Sequence, residues 1–422
     1  MRKILTIALF FCGTIGIYAQ EDRVMTLDEC IKIAKENSLA LKNAQLAVQQ
    51  AKDMQGTSFT LEATAFTLEQ DLTGGGNPDN SLAVGQTFEL PSVYKARRKA
   101  LKKQTEVESA KESMTVNAVE MEIINAYNNI RYAREKFKLL QKQDSVIQQF
   151  HAVAKSKTNA GDVSSLDHIN AHRMMAESEM KTVAAKNEYR TAQYKMAQLL
   201  NETFMVVPAD ESWEITETTV AKPTREPTRV ASPTPLFVAD NTTAMQLANN
   251  MIAASESELK NVRNEGLPTI SLEGKYQVLI KGLNPYNIER PRFENGNFLA
   301  MAVGVNIPLC FGSQAAKVRA AKRGVEMERN NMEQLQRELQ AEYYEKYNEW
   351  VNTKMLVEYY KESGLQQAAE MEQIASEAYR NNEINYVELM QNMQAATDMR
   401  LQYMDAVNEY NRQVMELNYM CK

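Results

Sequence analysis

The sequence predicts a mainly α chain with a small β part, built as a duplicated helix–hairpin–long helix–helix unit. Three observations carry this reading. Val84–Leu90 (VGQTFEL), followed by a Lys/Arg-rich helical stretch, recurs 219 residues on as Val303–Leu309 (VGVNIPL), again followed by such a stretch. Gly161-Asp-Val-Ser-Ser-Leu-Asp recurs 221 residues on as Asn382-Glu-Ile-Asn-Tyr-Val-Glu, and Phe59-Thr-Leu-Glu recurs 211 residues on as Ile270-Ser-Leu-Glu. Nearly constant offsets, in one order, mean a duplicated unit of about half the chain. The repeats are expected at 20–204 and 241–422.

The elements follow in order. Residues 1–19 read as a secretory signal: Arg2-Lys3, an apolar run from Ile4 to about Ile17, then Tyr18-Ala19 before Gln20. Helix 25–56 opens on Thr26 and Glu29, the spacing of a capping box, and stops at Gly56. Strands are expected at 58–70 and 81–90, with a phase slip at Phe66 and a Gly/Asn/Asp/Pro turn at 71–80 between them. Residues 93–157 hold no Pro or Gly and repeat apolar positions every seven. Ile123, Ile130 and Phe137 form one row, and Ala126, Ala133, Leu140, Ile147 and Ala154 another, the seam of a coiled coil. At ~1.5 Å per residue this helix is a rod of about 97 Å. A returning helix is expected at 163–201, and five prolines make 205–240 an extended connector.

The second repeat restates this with helix 243–265 and strands at 269–280 and 298–309. Its long helix, 313–379, carries Val318, Val325, Met332 and Leu339, then Tyr343, Trp350 and Val357. The last helix, 384–420, carries Leu389, Ala396, Tyr403, Tyr410 and Leu417.

Composition excludes several functions. The net charge is −6, and losing Arg2 and Lys3 with the signal makes it −8. Basic residues are interleaved with acids along helices, so no nucleic-acid-binding patch forms. Cys12 lies in the signal, and Cys30, Cys310 and Cys421 are too scattered for a disulfide framework. No phosphate loop and no catalytic Cys or His cluster is present, so the sequence reads as no enzyme and implies no cofactor. No mature stretch reaches 18 consecutive apolar residues, so any membrane contact must come from strands.

Strands of roughly ten residues with one apolar and one small or polar face suit an outer-membrane barrel. A sheet edge left open in lipid strands N–H and C=O groups at several kcal/mol each, so the sheet must close. Four strands cannot close alone. Three copies would pool twelve, giving a trimeric 12-strand β-barrel that continues into a long α-helical coiled-coil barrel.

The opening TLDECIKIAKENSLALKNAQLAV, the junctions FELPSVYKARRKA and IPLCFGSQAAKVRAA, and the paired turns at 161–167 and 382–388 together resemble the TolC-type outer-membrane efflux protein family. The segment YRNNEINYVELMQNMQAATDMRLQYMDAVNEYNRQ resembles its heavy-metal-efflux branch. The first junction departs from the family, having Pro91-Ser-Val-Tyr94 where an aromatic and a Gly often stand, as Phe311-Gly312 do in the second. The resemblance implies a homotrimer in the outer membrane that reaches into the periplasm. It also implies a periplasmic adaptor and an inner-membrane pump of the RND type as partners, with outer-membrane lipid around the barrel. The duct would serve tripartite efflux of heavy-metal cations or drugs, or alternatively type I secretion. A rival reading from another class is a periplasmic coiled-coil scaffold with no pore.

The turns are the candidate tip and gate. Lys157, Gly161, Asp162 and Asp167 surround the first, and Arg380, Asn382, Glu383 and Glu388 the second. Acids in a first helical turn serve as caps. Multiplied by three-fold symmetry, they also make a cation-favouring ring. All three histidines, His151, His168 and His172, fall around the first turn and are candidate metal ligands, with His168 and His172 on one helical face.

Overall fold

The computed structural model describes residues 22–71, 79–159, 165–210, 242–278, 298–309, 311–381 and 383–421. The signal segment, both hairpin tips, most of the connector and Cys310 lie outside these. The first repeat runs β1 (Asp22–Met25), α1 (Leu27–Asn37), α2 (Leu39–Met54), β2 (Ala65–Asp71), β3 (Asp79–Phe88), α3 (Pro91–Asn159), α4 (Ser165–Leu200) and β4 (Met205–Pro208). Then follow α5 (Thr243–Asn264), β5 (Thr269–Val278), β6 (Phe298–Asn306), α6 (Phe311–Tyr359), a π-turn (Tyr360–Gly364), α7 (Leu365–Arg380) and α8 (Tyr386–Met420). Among the described residues, no helix is long and apolar enough to cross a membrane.

The chain divides into two compact units, and each unit draws on both repeats. The first holds β1, α1, α3 from Ala118, α4, β4 and the segment from Lys346 to Tyr419. The second holds α2, α3 up to Asn117, the other four strands, α5 and α6 up to Glu345.

In the first unit, Thr26 and Glu29 close the expected capping box. Glu29 N donates to Thr26 Oγ1 at 3.4 Å, and Thr26 N donates to Glu29 Oε2 at 2.9 Å. The single helix expected at 25–56 is instead two helices broken at Ser38, whose ψ of 119° is not helical. The cause is tertiary: Asn37 Nδ2 donates to Leu200 O at 3.2 Å and Glu202 Oε1 at 2.9 Å. α4 stops one residue before its expected end because Asn201 takes a left-handed φ of 53°, a backbone state that Asn tolerates at a helix end. Glu202 N then donates back to Ala197 O at 3.0 Å.

The connector was expected to be extended from 205, yet Met205–Pro208 forms β4 and pairs in parallel with β1, Val24 facing Val207. The pair is anchored from both sides. Gln193 Nε2 donates to Val206 O at 3.0 Å, and Tyr127 Oη to Met25 O at 3.1 Å. Beneath lies a core of Cys30, Ile123, Tyr127, Ile130, Ala133, Met196 and Leu200. The heptad positions Ile123, Ala126, Ile130, Ala133, Leu140, Ile147 and Ala154 are buried, as the seven-residue spacing requires, whereas Phe137 of the same seam is half-buried.

The two long helices differ. α3 is uninterrupted for 69 residues, whereas the helix expected at 313–379 is broken by the π-turn. The repeat offset grows by two, from 219 to 221, across this helix, and the π-turn, which holds one residue more than an α-turn, accounts for one of them. Gly364 is required there, since a Cβ would lie 2.6 Å from Cδ1 of Tyr360. That ring cannot easily yield, because it packs against Val357, Ala406 and Val407 and its hydroxyl donates to Gln402 Oε1 at 2.8 Å.

The burial in this unit sets a pH dependence. Burial pushes the Cys30 thiol up to about 11 from an ordinary 9.0. It also pushes the Tyr127 hydroxyl, beside Asp210, and the Tyr386 hydroxyl, beside Tyr379, up to about 12 from 10.0. The folded chain therefore holds these protons more tightly than the unfolded chain does. Their contribution is complete below about pH 9 and is lost as pH rises through 11 to 12. The melting temperature followed by circular dichroism is expected to fall between pH 8 and pH 11. A flat profile would show these groups to be hydrated in solution.

Candidate functional site: the two-faced sheet and the helical tip

The second unit carries the sheet, antiparallel throughout in the order β2-β3-β5-β6. Its register sorts the side chains by face. Phe66 faces Val84 and Leu68 faces Leu82, which faces Tyr276, which faces Leu299. In the same rows Phe88 faces Ile270, which faces Val305, while Leu272 faces Val303 and Gly274 faces Met301. One face of the sheet is thus apolar from edge to edge, broken chiefly by Gln86 and Gly274. It is also bare: Leu68 is 80% exposed and Met301 86%.

The opposite face carries mainly small and polar residues, among them Thr67, Glu69, Ser81, Ala83, Glu273, Lys275, Ala302 and Gly304, with Phe298 opposite Gln277 as the large apolar exception. Polar groups pair across it, with Ser81 Oγ donating to Glu69 Oε2 at 3.2 Å and Lys275 in an ion pair with Glu69. Its rows are tight, since a Cβ on Gly304 would meet Ser271 Oγ at 2.5 Å. The two outer strands, β2 and β6, each have a ladder on one side only among the described residues.

The strand expected at 58–70 joins the ladder only at Ala65. Ahead of it, the Gln86 amide donates to Glu62 O at 2.8 Å, and Thr64 Oγ1 donates to Gln86 Oε1 at 2.6 Å, so a side chain holds what backbone pairing was expected to hold. At the same end of the sheet, on the opposite edge, 307–309 lie beyond the last paired residue of β6. The first strand-to-helix junction solves its turn without the aromatic–Gly pair. Pro91 sits at the first helical position, where its missing N–H costs nothing. Tyr94 accepts from Glu89 N at 3.0 Å and packs on Phe59, ring centroids 4.8 Å apart, while Arg97 pairs with Glu89 at 2.7 Å.

The first unit carries the helical tip. Ile147 and Ala154 of α3, Ala171 of α4, Ala375 and Tyr379 of α7, and Tyr386, Leu389, Met390 and Met393 of α8 form one buried cluster. The flanks of both turns therefore converge. Tyr379 bridges them, 5.9 Å from the Phe150 ring and 6.2 Å from Tyr386. Of the candidate tip residues, Gly161, Asp162 and Asn382 and the side chains of Lys157 and Asp167 lie outside the described set. Arg380 and Glu383 are exposed. Glu388 caps α8 in a second reciprocal box: its N donates to Asn385 Oδ1 at 2.9 Å, while Asn385 N donates to Glu388 Oε2 at 3.1 Å.

His151 and His172 meet across α3 and α4, ring centroids 6.1 Å apart, whereas the His168 side chain lies outside the described set. Among the described residues, no three His, Cys, Asp or Glu side chains gather into a metal-binding group. The sequence reading missed the ties between helices within this unit. Arg400 of α8 pairs with Glu372 of α7, and Tyr132 of α3 donates to Asp405 of α8. Neither pair leaves a local signal, being 28 and 273 residues apart. The Asn385-x-x-Glu388 spacing was readable as a cap.

The chain has the fold of the outer-membrane channels. The structure of CusC, a protein described as forming a transmembrane channel as it folds, matches with a TM-score of 0.75 at 14% identity, covering 94% of this chain and 92% of that one. The outer-membrane channel CmeC of Campylobacter jejuni matches at 0.72 with 13% identity, over 94% and 85%. The outer-membrane channel MtrE of Neisseria gonorrhoeae, in its open state, matches at 0.71 with 14% identity, over 94% and 88%. No protein-family model and no curated protein sequence matches the chain.

Proposed function

We propose that the chain is the outer-membrane channel of a tripartite efflux pump, a passive duct from periplasm to exterior for heavy-metal cations or drugs. The observation that carries this reading is the four-stranded sheet with one largely apolar, exposed face and two outer strands, β2 and β6, available for pairing. In lipid each unpaired backbone group costs several kcal/mol, so β6 of one copy pairs with β2 of the next. Three copies close a twelve-strand barrel, apolar outside and small or polar within. Its helices enter the periplasm, where the tip meets an adaptor and, through it, an RND-type pump in the inner membrane. A passive duct needs no catalytic group of its own.

At the tip, Asp162, Asp167 and Glu383 form acidic rings that favour cations, and Lys157 and Arg380 hold them in the closed state. Glu388 acts first as a cap. The test is made on the native chain: heat-sensitive trimers in the outer-membrane fraction, and currents in planar bilayers that rise in Arg380→Ala. Monomers confined to a soluble periplasmic extract would overturn the channel and leave the scaffold reading standing. Currents unchanged in Arg380→Ala would overturn only the gate.

A further inference from the structure

We infer that His151 and His172 form a two-imidazole site for a divalent transition-metal cation, bridging α3 and α4 beside the first turn. The two residues lie on different helices, 21 positions apart in sequence, and the fold brings their rings to a centroid distance of 6.1 Å with planes 66° apart. With metal–nitrogen bonds of about 2.0–2.1 Å and the ring radius added, two imidazoles on one ion hold their centroids roughly 5 to 6.5 Å apart. The observed 6.1 Å is about 1 Å wider than the roughly 5.2 Å of a tetrahedral pair, a gap that rotation of the two side chains closes on binding. Both helices are fixed nearby by the buried contacts of Ile147, Ala154 and Ala171, so little ordering remains to be done on binding.

The donor set decides the class of ion. Imidazole suits zinc, copper and nickel, whereas magnesium and calcium need oxygen ligands. Among the described residues no carboxylate or thiol completes a group of three with this pair. Lys155 lies one turn along α3, and the charge of Arg173, next to His172, is offset by its ion pair with Glu177. His172 is exposed, so an ion can enter from solvent, with water filling the remaining positions. A bound ion would tie the returning helix to the long one, stiffening the hairpin in a metal-dependent way.

The test uses the full-length chain in detergent, without a histidine tag and with the exposed Cys421 replaced (Cys421→Ser). Titration with nickel or zinc chloride is expected to show one saturable ion per chain, weakened on the order of 10- to 100-fold in His172→Gln and in His151→Gln. Because His151 is half-buried and its variant could misfold, copper(II) is also bound to the unaltered chain. Its electron paramagnetic resonance spectrum is expected to show splitting from two imidazole nitrogens. No saturable binding, binding unchanged in His172→Gln, or a copper spectrum with fewer than two nitrogen ligands would each overturn the site. None of these readouts depends on trimer formation or conductance, so the channel reading stands or falls separately.

Discussion

Met301→Arg is expected to remove the protein from the outer-membrane fraction, while Ala302→Arg, one residue along the same strand, leaves it there. Met301 stands on the apolar face of β6 opposite Gly274, among Leu299, Val303 and Val305, and is 86% exposed. On a lipid-facing barrel strand, an arginine near the bilayer midplane costs about 2–4 kcal/mol. A trimeric barrel carries the cost three times, which is comparable to the whole stability of many folded domains. Ala302 points to the other face, opposite Glu273, where a guanidinium meets a carboxylate and water. The pair separates the channel from a soluble scaffold, for which the two exposed positions would be nearly equivalent. Cell fractionation with heat-dependent gel mobility reads the result. Equal behaviour of the two variants would show that the apolar face does not contact lipid.

How much of this was legible beforehand depends on how local the cause is. The seven-residue rows of α3 were readable because burial on a helix face imposes its period on the sequence, and all five residues of the Ala126 row are indeed buried. The two hairpins were readable because β-strand side chains alternate, and the cap at Thr26 because its two partners lie three residues apart. The break at Ser38 was not readable: neither Gly nor Pro marks it, and the groups that hold Asn37 lie more than 160 residues on, at the C-terminal end of α4. The β1–β4 pair joins segments some 180 residues apart, each only four residues long, too short for alternation to register. The converse failure is Phe59–Thr64, whose alternation predicts a strand but whose backbone partner is replaced by the Gln86 side chain. The convergence of the turn flanks at the tip was foreseen from the duplicated order, whereas the ties Arg400–Glu372 and, farther along the helices, Tyr132–Asp405 depend on the packing itself.

Deleting Lys361 from the π-turn is expected to be tolerated, whereas deleting Gln373 ten or so residues later abolishes the folded tip. A π-turn stores one extra residue without changing the phase of the helix on either side. Removing Lys361, which is exposed, lets Tyr360–Leu365 close as ordinary α-helix. Val357 before the turn and Ala368, Ala375 and Tyr379 after it then keep the faces they now bury. The cost should stay within about 1 kcal/mol, most of it from adjustment of Tyr360 against Val407 and Gln402. In α7 no extra residue is available. Loss of Gln373 rotates everything after it by about 100°. That swings Ala375 and Tyr379 out of the cluster with Phe150, Tyr386 and Leu389 and brings polar neighbours in. Exposing one large side chain from a packed core costs about 3–5 kcal/mol, and this deletion displaces more than one. Gly364→Ala gives a third point on the same scale. Its methyl group would press on the Tyr360 ring in the chain as it stands, and should be accommodated once Lys361 is gone and the turn has closed. Thermal unfolding by circular dichroism orders the variants, with the Lys361 deletion close to the parent and the Gln373 deletion far below. If both deletions fell equally, the π-turn would be holding the helix in place, and the extra residue would be part of the packing instead of a store of slack.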